Sequence, residues 1–230
     1  MQKENKLLFK SLVGSNAHGL ATDESDIDYR GVFVTPTSEL LKLGERTKTT
    51  SWIEGKEDDT SWEIGHFLLL AIKCNPTILE TFLAPIIDVN AEFNEEVREL
   101  RALFPYVWNS TDVMNAFIGY GHNQRKKMLE NKDGNKLKYA VAYMRTLYQA
   151  KELLKTGTFT IKIADTDIGQ YLKAVKFQNQ PDVDISMGAI INTCNELEQD
   201  VRNAYVNNPD KQTDIDKINT YLLKIRSKCW

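Results

Sequence analysis

Apolar and polar positions follow two different periods in the first 90 residues. Residues 7–13 form a short apolar run stopped by Gly14-Ser15, which predicts a buried strand, a tight turn, and then a loop or brief helix. Residues 25–34 (SDIDYRGVFV) alternate and then become β-branched before Pro36, so a second strand is expected there. Residues 46–62 are rich in Thr, with Trp52 and Ile53 before Gly55. They are read as a hairpin that brings a third strand back to the sheet. From Glu63 the period turns helical through Ile64, Phe67, Leu68, Ala71 and Ile72. Asn75-Pro76 closes that helix, and Pro76 opens a second short one through Leu83.

After residue 90 helical stripes dominate. Leu137, Ala140, Val141, Met144, Leu147, Tyr148 and Leu154 make one apolar face, ended by Gly157. A second runs through Ile190, Cys194, Leu197, Val201 and Tyr205, and a third through Ile215, Ile218, Leu222 and Ile225. Residues 158–163 (TFTIKI) read as a short strand or extended link, and Pro181–Asp184 as a turn. The expected architecture is α+β: a mixed sheet with helices over residues 1–90, then a helical domain over 91–230.

Composition narrows the classes. A hydrophobic content of 42% supports an ordinary core, and the net charge of −3 argues against indiscriminate coating of nucleic acid or an anionic membrane. Cys74, Cys194 and Cys229 are odd in number and widely spaced, without a CxxC pair, and read as reduced thiols. The polar opening, Met1 to Lys6, is unlike a signal peptide. The longest apolar run, residues 67–72, is far short of the roughly 20 residues that span a bilayer. A cytoplasmic protein with no membrane partner is expected.

The chemistry concentrates in Gly14–Val34, GSNAHGLATDESDIDYRGVFV. Aspartates at i and i+2 of a strand share a face, so Asp26 and Asp28 would present both carboxylates to one point. Two adjacent anions are costly unless a cation lies between them, and a hard divalent ion such as Mg²⁺ or Mn²⁺ is the natural solution. Gly14-Ser15, upstream, allows close backbone approach and offers N–H groups and a hydroxyl to phosphate oxygens. A phosphate holder beside a metal holder suits attack on a nucleoside triphosphate.

Gly14-Ser15 with Ser25-Asp26-Ile27-Asp28 resembles the signature of the DNA polymerase beta nucleotidyltransferase superfamily. The wider segment, followed by FLLLAIKCNPTILETFLAP, resembles a family of RNA-ligase-associated nucleotidyltransferases of bacteria and their phages. The specific motifs cover about the first 85 residues; YGHNQRKKM and the helix ending ELLKTG look like the family's helical part. The resemblance implies a palm-like catalytic sheet, an NTP substrate (ATP foremost), a divalent metal on Asp26, Asp28 and a third carboxylate, and an RNA or tRNA end, a protein or a small molecule as acceptor. For the third acid, Asp58 fits the family spacing, nine residues before Phe67, and Asp59 is the alternative, since one register slip exchanges them.

Several further residues have two readings. His18 would touch the nucleotide or be a half-exposed loop histidine. Arg30, two residues after Asp28, would pair with phosphate or with a carboxylate. Arg125 and Lys126, in a basic stretch with Gln124, Lys127, Lys132, Lys136 and Lys138, would bind triphosphate or an RNA backbone, or form a solvated helix face. Asn75-Pro76-Thr77 with Glu80 resembles the family's NPT-x-LE element and is read as architecture. Ala142 stands where the family often has a histidine three residues before Arg145, a departure that removes any role for that histidine. His66 and His122 have no visible partner. Against the nucleotidyltransferase stand a non-catalytic nucleotide-binding regulator or toxin–antitoxin partner, and a helical RNA-binding module disfavoured by the low pI and the lack of a basic aromatic platform. The sequence leaves the oligomeric state open.

Overall fold

The computed structural model describes residues 4–43, 49–53 and 59–230. The apolar run becomes β1 (Lys6–Val13) and turns at Gly14 into the short helix α1 (Gly14–His18). Then follow β2 (Asp28–Val34), α2 (Thr37–Leu40), β3 (Thr50–Ile53), β4 (Asp59–Glu63), α3 (Ile64–Ile72), α4 (Pro76–Leu83) and β5 (Ile86–Val89). Among the described residues these strands form one sheet in the order β3-β4-β2-β1-β5. β4 runs parallel to β2, and the other pairings are antiparallel. The fold is therefore α+β, with a mixed sheet at the front and helices behind it.

Two boundaries move from their sequence positions. β2 starts at Asp28 and not near Ser25, because Ser25 closes a turn on Thr22 and the Asp26 carbonyl is taken by the Asn16 side chain. Residues 158–162 form no strand. Both backbone groups of Thr160 are claimed by side chains of the preceding helix: its N–H by Glu152 at 2.7 Å and its carbonyl by Gln149 at 2.9 Å. Phe159 anchors this link in a chain of rings, Phe67–Phe82–Phe104–Phe159–Phe117, with centroids 4.8–6.2 Å apart, which crosses from the sheet-side helices into the helical layer.

The helical part comprises α5 (Asn94–Ala102), α6 (Ser110–Leu129), α7 (Lys136–Thr156), α8 (Gly169–Phe177), α9 (Met187–Asn207) and α10 (Ile215–Lys228). α6, α7 and α9 pack together, α7 and α9 through the predicted stripes, and α7 ends at Gly157 as expected. α10 buries Ile218, Tyr221 and Ile225, while Ile215 at its start is exposed. It returns to the sheet, where Arg226 makes a two-pronged bond to buried Glu63 at 2.6 and 2.8 Å. Glu63 also caps α3 by accepting from the Gly65 N–H. One continuous set of buried side chains thus joins sheet and helices. Among the described residues no helix is long and apolar enough to cross a membrane.

Candidate active site

The site begins where β1 ends. Val13, the last residue of β1, lies opposite Asp28, the first of β2, so the Gly14 turn and the Asp28 carboxylate meet at the same end of the sheet. Gly14 has φ +67°, and a Cβ there would lie 2.1 Å from Asp28 Oδ2 and 3.1 Å from its Cγ. Only glycine allows the carboxylate to rest against the turn in this conformation. Two residues along α1, Asn16 Nδ2 donates to the Asp26 carbonyl at 2.9 Å. The close approach of Gly14 to Asp28 and the Asn16 bond together hold α1 flush against the Asp26–Asp28 segment. Asn16 was missed as a site residue from sequence; a polar side chain directly after Gly-Ser was the available signal.

Asp28 is half-buried and Asp26 exposed. Asp26 precedes the strand, so its position follows from the Asn16 bond, whereas Asp28 and Arg30 share a strand face. The Arg30 guanidinium donates to the Tyr29 carbonyl at 2.7 Å. Ser15 is partly exposed, and its hydroxyl makes no hydrogen bond among the described residues. Asp58 lies outside the described residues. Asp59 pairs with Tyr29 in the parallel ladder and is bonded to Lys10, whose ammonium sits 5.2 Å from the Tyr29 ring centre. Strand alternation puts Asp59 with Tyr29 and Gly31, on the face opposite Asp28. Among the described residues no three His, Cys, Asp or Glu side chains converge on one point.

Behind the turn the structure corrects the reading of His18. It ends α1 and is buried, not half-exposed in a loop. Its Nε2 lies 2.7 Å from Glu80 Oε1 on α4, while Arg145 Nη1 of α7 donates to Glu80 Oε2 at 3.3 Å and to Gln149 Oε1 at 3.0 Å. Burial pushes the Glu80 carboxyl up, but His18 and Arg145 outweigh it and hold its pKa at about 2. Burial and the Arg145 charge lower His18, against Glu80. The state that follows is a Glu80 anion between Arg145 and a neutral His18 that donates Nε2–H. Glu80 is thus architecture, as its NPT-x-LE setting suggested, and it locks α1, α4 and α7 together. The partners are 62 and 65 residues from Glu80 in sequence, which hid the network.

Arg125 and Lys126 lie on α6, Arg125 half-buried and Lys126 exposed. Arg125 donates to Asn195 of α9 at 3.4 Å, and Lys126 is 3.9 Å from Glu130 on its own helix. His122 pairs with Glu198 at 2.9 Å. Cys74, Cys194 and Cys229 are buried free thiols.

An uncharacterized protein of Methanocaldococcus jannaschii is 23% identical over 186 residues, covering 76% of this chain and 74% of that protein. An uncharacterized 38.9 kDa protein from the nrdC-mobD intergenic region of Enterobacteria phage T4 is 27% identical over 134 residues, covering 53% of this chain but only 38% of its own length. The family match is far more extensive, for residues 1–224 fit a polymerase beta-like family of nucleotidyltransferases, and the chain belongs to the RNA repair pathway DNA polymerase beta family.

Proposed function

We propose that this protein transfers a nucleoside monophosphate from an NTP, ATP first among them, to an acceptor hydroxyl, with an RNA end as the leading acceptor class. The carrying observation is the Gly14 turn pressed against the Asp28 carboxylate, with Asn16 tying the Asp26 segment alongside. The acceptor oxygen would attack the α-phosphorus, the bond to the β-phosphate would break, and pyrophosphate would leave with that electron pair. Gly14 N–H and the Ser15 hydroxyl are the groups to hold triphosphate oxygens, with Arg30 on the Asp28 face as an additional cation.

The hard oxygen donors of Asp26 and Asp28 fit Mg²⁺ or Mn²⁺, completed by a third carboxylate for which Asp58 is the first candidate. Bound there, the ion would stabilise charge on the attacking and leaving oxygens. His18 is assigned to positioning, since its Nε2–H is spent on Glu80. The RNA acceptor is favoured by the family's connection with RNA repair. The test is transfer of label from each α-labelled NTP into cellular RNA and into protein, with and without divalent ion. Label in RNA that vanishes in Asp28→Ala supports the proposal; label in protein alone would refute the acceptor, and label that persists in Asp28→Ala would refute the site.

A further inference from the structure

The short helix α1 has a separate support at each end. At the front, Gly14 is pressed against Asp28 and Asn16 is tied to the Asp26 carbonyl. At the back, Gly19 takes φ +70° and the chain closes in a Schellman cap. The Gly19 N–H donates to the Asn16 carbonyl at 3.3 Å, and the Leu20 N–H to the Ser15 carbonyl at 2.9 Å. Because α1 is only five residues long, these cap bonds land on the residues that form the front of the site. Where the cap stands therefore decides where Ser15 and Asn16 stand.

The cap is held from the helical part of the chain. Lys176 of α8 donates from its ammonium to the Leu20 carbonyl, across 156 residues of sequence. Leu20 is thus fixed three ways: its N–H on Ser15, its carbonyl under Lys176, and its side chain, 1% exposed, in the core. Gly19 is seated beside it against the stretch that follows α7, for a Cβ there would lie 2.9 Å from Ala164 Cβ and 3.3 Å from Lys162 Cγ. Ala164 packs in turn on the start of α8, where a Cβ at Gly169 would lie 2.4 Å from the Ala164 carbonyl oxygen. α8 and this stretch therefore meet the cap as one block.

Lys176 is not placed to touch a triphosphate on Gly14-Ser15. It meets α1 at the end away from Gly14, about 7 Å along the five-residue helix. Its reach into the site runs through Leu20, and a hydrogen bond from a charged donor is stronger than a neutral one.

We propose that Lys176 is a positioning residue for the Gly14-Ser15 turn: through Leu20 it fixes the Ser15 main chain where triphosphate oxygens are held, and so ties nucleotide binding to the packing of α8. This role rests on the reading of Gly14-Ser15 as the triphosphate holder given above.

The test is calorimetric binding of ATP and of AMP, with Mg²⁺, to the native full chain and to Lys176→Met. Lys173, one turn earlier on α8, has no side-chain hydrogen bond among the described residues, so Lys173→Met supplies the same charge change as a control. Loss of one charged hydrogen bond should weaken ATP binding about tenfold in Lys176→Met. AMP, which lacks the β- and γ-phosphates, should keep its native affinity, and Lys173→Met should change neither. Gly19→Ala must keep φ +70° and push Ala164 aside, so it disturbs the same cap and should give the same ATP-selective loss. Hydrogen exchange at the Gly19 and Leu20 amides should be faster in Lys176→Met than in the control. Native ATP affinity in both Lys176→Met and Gly19→Ala, equal losses of ATP and AMP, or unchanged exchange at Gly19 and Leu20 would each overturn the role. Ser15→Ala separates the two readings. If it weakens ATP binding while Lys176→Met does not, Lys176 loses its role and the triphosphate holder stands; native ATP affinity in both variants, or no ATP binding by the native chain, removes both.

Discussion

Replacing Gly14 by alanine tests the central geometry at a single atom. The new Cβ would stand 2.1 Å from Asp28 Oδ2, and the residue would have to keep φ +67°. The backbone cost of a left-handed alanine is about 1–2 kcal/mol, and the collision should add about 1–3 kcal/mol, the usual cost of overpacking. Gly134 separates the two, for it has φ +69° and no atom within 4 Å of a built Cβ. Gly134→Ala should therefore show the backbone cost alone. By calorimetry Gly14→Ala should melt lower than Gly134→Ala by about 2–12 °C, at about 2–4 °C per kcal/mol for a chain of this size. A carboxylate displaced by about 1 Å should also lose about 10²-fold in transfer rate, whereas Gly134→Ala should keep native activity. Adding Asp28→Ala removes the atoms that collide, so Gly14→Ala/Asp28→Ala should be more stable than the sum of its single changes. Equal melting temperatures and rates for the Gly14 and Gly134 variants would refute the close approach on which the site is built.

Other expectations follow from the same structure. Glu80→Ala leaves Arg145 and His18 buried without their anion and should cost about 3–5 kcal/mol, read as a drop in melting temperature; a loss below about 1 kcal/mol would show that the network does not bind α1 to α7. Because His18 is held below its ordinary value of 6.5, the unfolded chain takes up its proton first as pH falls. Stability should therefore drop on acidification below pH 6.5 and rise as pH increases toward that value. His18→Gln should flatten this part of the melting profile, and an unchanged profile would assign it to another group. For the third carboxylate, Asp58→Asn should abolish transfer while Asp59→Asn, on the Lys10 face, should retain it within a few-fold; the opposite result would assign the role to Asp59.

The sequence carried the local features and not those made across distance. β1 and its stop were visible because an apolar run meets a glycine, and α4 because Asn75 and Pro76 sit where a helix start needs a cap and a fixed φ. The start of β2 was misplaced because a side chain on α1 takes the Asp26 carbonyl out of the ladder. Residues 158–163 were open between a strand and an extended link, and Glu152 and Gln149 settle residues 158–162 as a link by taking the backbone of Thr160. β5 was not anticipated: it is four residues long at the sheet edge, with Ile87 and Val89 exposed, so it lacks a buried alternation. The candidate Gly14, Ser15, Asp26 and Asp28 were legible because they are close in sequence. The partners that fix His18, Glu80 and Arg145, become its neighbours only in the fold.

The most direct test of the account is the rate of divalent-dependent transfer of the α-phosphoryl group by the native chain, Asp26→Asn and Asp28→Asn, each first shown to melt cooperatively near the native temperature. The account predicts pyrophosphate release from the native chain that requires Mg²⁺ or Mn²⁺ and disappears in both folded variants. Native-level release in either variant would contradict it.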